Sequence, residues 1–498
     1  MKILFTFLAF FFISIGFGQN TTKLSVSVSD EYKDKTKAAV VLSIHTGENG
    51  ITAIAKNGRK DYVFDLFDHD LNLLHSEVVP KENNEFYVGD LFFGNTMKIF
   101  TVDSPKRDER VVYCHTINLD TKEYNSTKLF STTVEKKGAL FGSRKDHRTN
   151  FAVSPNGEYF AIATDDTRKN LNSYTIQVFD ANTENLVYKQ SYQKSAKRFY
   201  VHNDLHVDNA GDAYSIGKLY QNGTRQVKLF TGDANYDIVL NKVSADNTTE
   251  LLIRLEDQHI QNLNIEETNN QLHLVGFFSE MNVHRLKGIC NFIIDTEAVA
   301  IADTKSHSLP TQVYQDLYGE NRAERLSKNG KELIRFIMDH TLTDSQGNIY
   351  LIAEKFYTTT NTVNNGSGGV TMQTVYHYDD IIIIKLLEDG NLDWGRSILK
   401  KDEIPSYNAF LKNDELHILL NSGKNLAEKR DGRTKVKRNF LEATALYDIA
   451  YTQSGEVSYN KIHDNQGNGY FHPFFGSFQD GRFIMMSGGK WQKFMILE

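Results

Sequence analysis

Two stretches of this chain, Asp208-Asn209-Ala210-Gly211-Asp212-Ala213-Tyr214 and Asp344-Ser345-Gln346-Gly347-Asn348-Ile349-Tyr350, share the pattern D-x-x-G-(N/D)-x-Y. Each lies between apolar, strand-like runs. Asp and Gly supply the side-chain acceptor and the left-handed backbone that a tight hairpin requires, and the Tyr places a large side chain in the layer beneath. Such a hairpin cannot bury its face alone, so repetition implies that units stack, as in a propeller or a solenoid.

Outward from these turns, a second pattern recurs: a period-two strand, a polar turn and another strand. It is found at 62–79, 111–130, 174–190, 226–243, 288–305, 380–401 and 445–464, spaced by roughly 50 to 70 residues, close to common propeller repeats with insertions. Apolar strand pairs precede several copies, at 151–162, 271–277 and 415–420. Four strands per unit is the make-up of a propeller blade. The last stretch supplies an inner pair (482–487) and one more strand (492–497) but no outer strand. The run Leu24 to Val28 is unclaimed and can complete that unit, which would close a ring and remove exposed edges.

The expected fold is therefore all-β: one β-propeller of about eight four-stranded blades over 19–498, closed by its N- and C-terminal strands. Seven blades is the close alternative, because the first two units are poorly marked near 83–102; two smaller β-domains are a third. Two segments interrupt the pattern. In 309–338, Val313, Leu317, Leu326, Leu333 and Ile337 stand among charges at helical spacing, which predicts a short helical insertion. The stretch 358–372 (TTTNTVNNGSGGVTM) is polar and Gly-rich, which predicts a mobile loop between two strands of the sixth unit.

Residues 1–18 read as a signal peptide. Lys2 precedes an apolar core from Ile3 to Ile15, and Gly16-Phe17-Gly18 suits cleavage before Gln19. The apolar run is short for a membrane span, which needs roughly 20 residues, and no later stretch reaches that length. The expected location is the periplasm, the cell surface or the medium. The net charge of −7, with both signs scattered, argues against a nucleic-acid binder. The only cysteines, Cys114 and Cys290, each lie in a strand-like run and read as buried thiols. No C-x-x-C pair, P-loop, G-x-S-x-G or dinucleotide fingerprint is present, so no metal or cofactor is expected.

The hairpin Asp344 to Tyr350 resembles the repeat of NHL-type and related bacterial propellers. Asp379-Asp380-Ile381-Ile382-Ile383-Ile384-Lys385, followed by Asp389-Gly390-Asn391-Leu392-Asp393-Trp394, is similar to a segment of uncharacterised exported proteins of Bacteroidetes. The resemblance covers about 334–401. It implies a propeller and an exported location, and brings no activity with it.

The chemistry is thin. Asp379 and Asp380 stand beside Tyr376, His377 and Tyr378, a set suited to acid–base work or a hard cation. Adjacent strand residues face opposite sides, so both carboxylates share one site only at a bulge. Asp379, His377 and Tyr376 are the candidate site residues; the bland alternative is a polar strand entry ahead of the Ile381–Ile384 run. His202 and His206 lie four apart without the Glu of an H-E-x-x-H frame. The chain reads as a binding or scaffold module for an extracellular or envelope protein, peptide or glycan rather than as an enzyme. The alternative is a glycan-acting hydrolase or lyase with carboxylates on the central face.

Overall fold

Eight four-stranded antiparallel sheets follow one another along the chain of the computed structural model. The structure describes residues 23–33, 40–106, 109–133, 149–168, 171–193, 199–221, 225–228, 233–334, 336–364, 370–423, 426, 433–436, 443–466, 469–488 and 491–498. The signal peptide expected at 1–18 lies outside them. Numbered as blades in chain order, the sheets span 40–80, 85–133, 149–193, 199–253, 259–308, 337–402, 407–464 and 477–497, the last completed by Val26–Val28. The first strands of successive blades lie against one another around the centre. The protein is an eight-bladed β-propeller.

Eight separate apolar cores fill the eight blade–blade junctions. This explains the unbroken run Ile381–Ile384. Ile381 and Ile383 pack toward blade seven, whereas Ile382 and Ile384 pack toward blade five and the inserted helices. A strand buried on both faces has no polar side to alternate with. The ring closes as the unclaimed N-terminal run suggests. Val26, Ser27 and Val28 pair with Leu497, Ile496 and Met495, and Tyr32–Lys33 pairs with Gln492 and Trp491. A core joining Val41, Ile44, Ile54 and Phe67 to Ile484, Met486, Phe494 and Ile496 seals blade eight to blade one.

The turn motif recurs beyond its two sharpest copies. A backbone bond to the carbonyl three residues earlier forms at Gly50, Leu71, Gly157, Gly211, Gly347, Gly390 and Gly455, all with positive φ. In the sharpest copy, Asp344 Oδ1 accepts from the backbone of Gln346 (3.0 Å) and Asn348 (2.9 Å), and Oδ2 accepts from the Asn348 amide (2.9 Å). Tyr350 is fully buried below. Blades two, five, seven and eight instead join their first two strands through Gly94-Asn95, Asn269-Asn270, Asn413-Asp414 and Asp480-Gly481, both residues of each pair at positive φ, the two-residue hairpin that needs Asn, Asp or Gly. Asp344→Ala strands two backbone donors; we expect it to cost about 1–3 kcal/mol in urea unfolding.

Three expectations need correction. The hairpin placed at 226–243 is shifted: Tyr236–Val243 is a third strand and pairs with Thr248–Ile253. The insertion ends earlier than expected. It forms α1 (Thr311–Tyr318), α2 (Glu320–Lys328) and the short strand Leu333–Ile334, whereas Ile337 and Met338 begin the inner strand of blade six. The mobile loop placed at 358–372 is largely a β-ribbon. Strands Ile349–Asn364 and Val370–Leu386 stay in register out to Asn364 and Val370, because Thr and Val in this stretch favour extended backbone. Residues 365–369 lie outside the described ones.

Antiparallel order puts the turns between first and second strands, and between third and fourth, on one face. The second-to-third connections and the links between blades leave from the other. That second face carries the helical insertion, the ribbon of blade six and the links at 403–406 and 465–476.

Candidate functional site

The sixth-blade ribbon answers the question raised by Asp379 and Asp380. Between the pairs Glu354–Ile381 and Phe356–Tyr378, a single residue, Lys355, opposes both aspartates. This is the bulge that lets neighbouring carboxylates turn to one partner. Lys355 Nζ lies 3.7 Å from Asp379 Oδ2 and 3.7 Å from Asp380 Oδ2. Asp379 is buried and also accepts from the Tyr357 hydroxyl at 2.9 Å. Burial pushes the Asp380 carboxyl up; Lys355 opposes that shift and Asp379 reinforces it.

The other sequence candidates do not converge on Asp379. His377 Nε2 meets Thr359 Oγ1 at 2.8 Å, and its ring stacks on Tyr357 at 4.5 Å. Tyr376 is half exposed and stacks on Phe356 at 6.3 Å. These contacts make a ladder along the ribbon rather than an acid–base pair. His202 and His206 are likewise separate: a bulge intervenes, His202 stacks on Tyr174 at 4.5 Å, and His206 Nε2 meets Glu267 at 2.8 Å.

A cleft of about 560 Å³ opens beside the bulge, between blades six and seven. Asp380, Lys401, Asp402, Ile404, Asn421 and Tyr470 are among its walls. Its floor is Lys400, which is fully buried. Lys400 Nζ lies 2.6 Å from Glu354 Oε1, 3.2 Å from Asp402 Oδ2, 3.1 Å from Ser406 Oγ and 2.8 Å from the Tyr378 carbonyl. Burial raises Glu354 to about 7 even with Lys400 beside it, and Asp339 and Asp402 push the same way. Backbone bonds between Leu399 and 434–436 close the cleft beneath, at 3.0 and 2.8 Å. Sequence reading missed Lys400 and Glu354. Lys400-Lys401 looks like a solvated strand end until blade seven is laid against it. Lys355 was legible in principle, because pairing the two strands sets it opposite the aspartates.

The axis holds a second polar set. Asp90 accepts from Ser43 (2.7 Å) and meets His45 (2.7 Å), tying blade two to blade one. Asp204 accepts from the backbone of Ile265 at 2.9 Å, and Tyr407 donates to Asp339 at 2.8 Å. Glu266, beside Asp204, is pushed up from about 4.5 to about 8, by burial first and by the Asp204 charge second. The folded protein therefore holds this proton more tightly than the unfolded chain. The stabilisation is complete below about pH 4.5 and is lost as pH rises toward 8. We expect the urea midpoint to fall between about pH 5 and pH 8, and Glu266→Gln to remove on the order of 2 kcal/mol of that fall.

No family model and no curated protein matches the chain. Solved structures resemble it at low identity, propellers among them. The polysaccharide lyase Uly1 is 11% identical with a TM-score of 0.39, over 96% of this chain and 99% of that one. The Dos1 propeller is 7% identical, with a TM-score of 0.43 and 95% of each chain covered. The β-propeller domain of the Trilobed protease from Pyrococcus furiosus is 9% identical, with a TM-score of 0.38, over 85% and 97%. At these identities and scores the likenesses assign no function.

Proposed function

We propose that the chain is an exported binding module that holds an extracellular or envelope partner on the face bearing its long connections, over blades five to eight. One observation carries the reading: exposed large apolar side chains collect there. Met281, Ile334, Tyr376, Ile404, Phe474 and Trp491 all lie on connections or strand ends of that face. Exposed apolar clusters rimmed by polar residues mark interaction surfaces. The carboxylates of the cleft favour binding over turnover. Asp379 and Asp380 face Lys355, and Glu354 and Asp402 face Lys400, so no pair stands free to protonate a leaving group and activate water.

The test is a panel of soluble polysaccharides and peptides offered to wild-type protein and to a variant carrying Ile404→Ser, Phe474→Ser and Trp491→Ser. We expect binding that the variant loses while keeping its thermal midpoint, with no new reducing ends or unsaturated products. Turnover of a polysaccharide would replace this reading with the catalytic one.

A further inference from the structure

Among the described residues, the blade-six ribbon leaves backbone hydrogen-bonding groups without a strand partner. Pairing with the inner strand stops at Ile337–Glu354, and pairing with the outer strand stops at Tyr378–Asp402. The ribbon itself continues to Asn364 and Val370. The eight residues from Val370 to His377 thus present an open edge about 25 Å long. Two strands alone are marginally stable in water, and a third stabilises them.

Composition marks this edge as unlike the others. In blades one to five and seven the outermost strands carry charges that discourage pairing, namely Glu77, Lys128, Lys189, Glu250, Asp303 with Lys305, and Lys461, and the uncharged outermost strand of blade eight, Val26–Val28, is only three residues long. Segments 356–364 (FYTTTNTVN) and 370–378 (VTMQTVYHY) contain no Lys, Arg, Asp, Glu or Pro. Proteins that avoid edge pairing place such residues there, and this ribbon has none.

We infer that an extended segment of a partner polypeptide adds to the Val370–His377 edge as an antiparallel strand, with an acidic side chain at its N-terminal end held by Lys401. This rests on the binding-face reading above and names the partner's chemistry. An added antiparallel strand continues the line of the outer strand Leu392–Asp402, which ends at the mouth of the cleft. Charge in that mouth is unbalanced. Asp402 faces Lys400 and Asp380 faces Lys355, whereas Lys401 is exposed and has no ion pair among the described residues. A carboxylate is the group that complements it. A second copy of the ribbon's free segments would bring none, since 356–364 and 370–378 carry no acidic residue. Main-chain bonds along the edge supply affinity, and the lysine sets register.

The probe is a random linear peptide library displayed on phage, panned on the full-length exported chain. We expect enriched sequences with alternating β-branched or aromatic residues after an Asp or Glu. A synthetic copy should slow amide exchange at 374–378. Lys401→Glu should weaken it at least about tenfold with an unchanged thermal midpoint, and Lys401→Arg should retain it. Equal binding to Lys401→Glu, or protection only elsewhere on blades five to eight, overturns strand addition and leaves the binding-face reading standing. A wild-type dimer in light scattering, with 374–378 protected in the absence of peptide, overturns it in favour of a second copy. Binding of polysaccharides but no peptide overturns it as well, whereas failure of every probe on that face removes both readings.

Discussion

A chain lacking residues up to Asp30 is expected to lose about 3–5 kcal/mol of stability and to aggregate, although only a short terminal segment is gone. The segment supplies the outermost strand of blade eight. Ser25 and Glu498 exchange backbone bonds at 2.6 and 3.1 Å, and the Ser29 amide donates to the Phe494 carbonyl at 2.9 Å. Without it, the Phe494–Leu497 strand becomes an open, apolar edge. Tyr32 anchors the same clasp. Its ring stacks on Phe494 at 5.2 Å and meets Phe67 edge-on at 5.7 Å, and its hydroxyl donates to Gln492 at 3.0 Å. Tyr32→Ala alone should cost about 2–4 kcal/mol. Leu186→Ala, on the exposed outer strand of blade three, is the control and should move stability by no more than about 0.5 kcal/mol. Differential scanning calorimetry on the three proteins checks both values.

Lys400→Met is the second large effect, expected at about 3–5 kcal/mol. It leaves Glu354 buried, and Asp402 about a third exposed, without their cation. The loss has a definite pH dependence. Glu354 already sits near 7 with Lys400 present, so removing the cation raises it further. The variant tolerates Glu354 as the neutral acid at low pH and must bury or expel a charge as pH rises. Its deficit relative to wild type should therefore grow between about pH 6 and pH 9, as wild-type Glu354 ionises near 7 while the variant still holds the proton. Adding Glu354→Leu should recover most of the loss at high pH, because two facing charges replaced by apolar groups leave nothing unpaired. Chemical denaturation of the single and double variants across that range gives the comparison.

Much of the ring was legible because its signals are local. Gly211 and Gly347 need positive φ, Asp208 and Asp344 cap their own turns, and strand alternation marks six of the seven outer hairpins near their true positions. Leu24–Val28 was identifiable by elimination, as the one strand-like run without a partner. Features set by strand register or by contact between blades were harder to read. The bulge at Asp379-Asp380 depends on register against Lys355, and the burial of Lys400 depends on blade seven. The ribbon at 358–372 was misread because polar Thr and Asn suggest a loop by composition, while their β-branched neighbours hold an extended pair. Of the candidate residues, Asp379 belongs to the charged bulge beside the cleft, whereas His377 and Tyr376 belong to the ribbon's aromatic ladder.

Everything proposed for blades six and seven presupposes a closed eight-bladed ring, and Ser27→Cys with Ile496→Cys tests that closure most directly. These residues are directly paired across the terminal strands. The native thiols of Cys114 and Cys290 are buried, with pKa values raised by desolvation, so they do not compete. Mild oxidation should give a monomer with one intramolecular disulfide and a higher thermal midpoint. Free thiols, or disulfide-linked dimers alone, in the natively folded protein would contradict the closed ring.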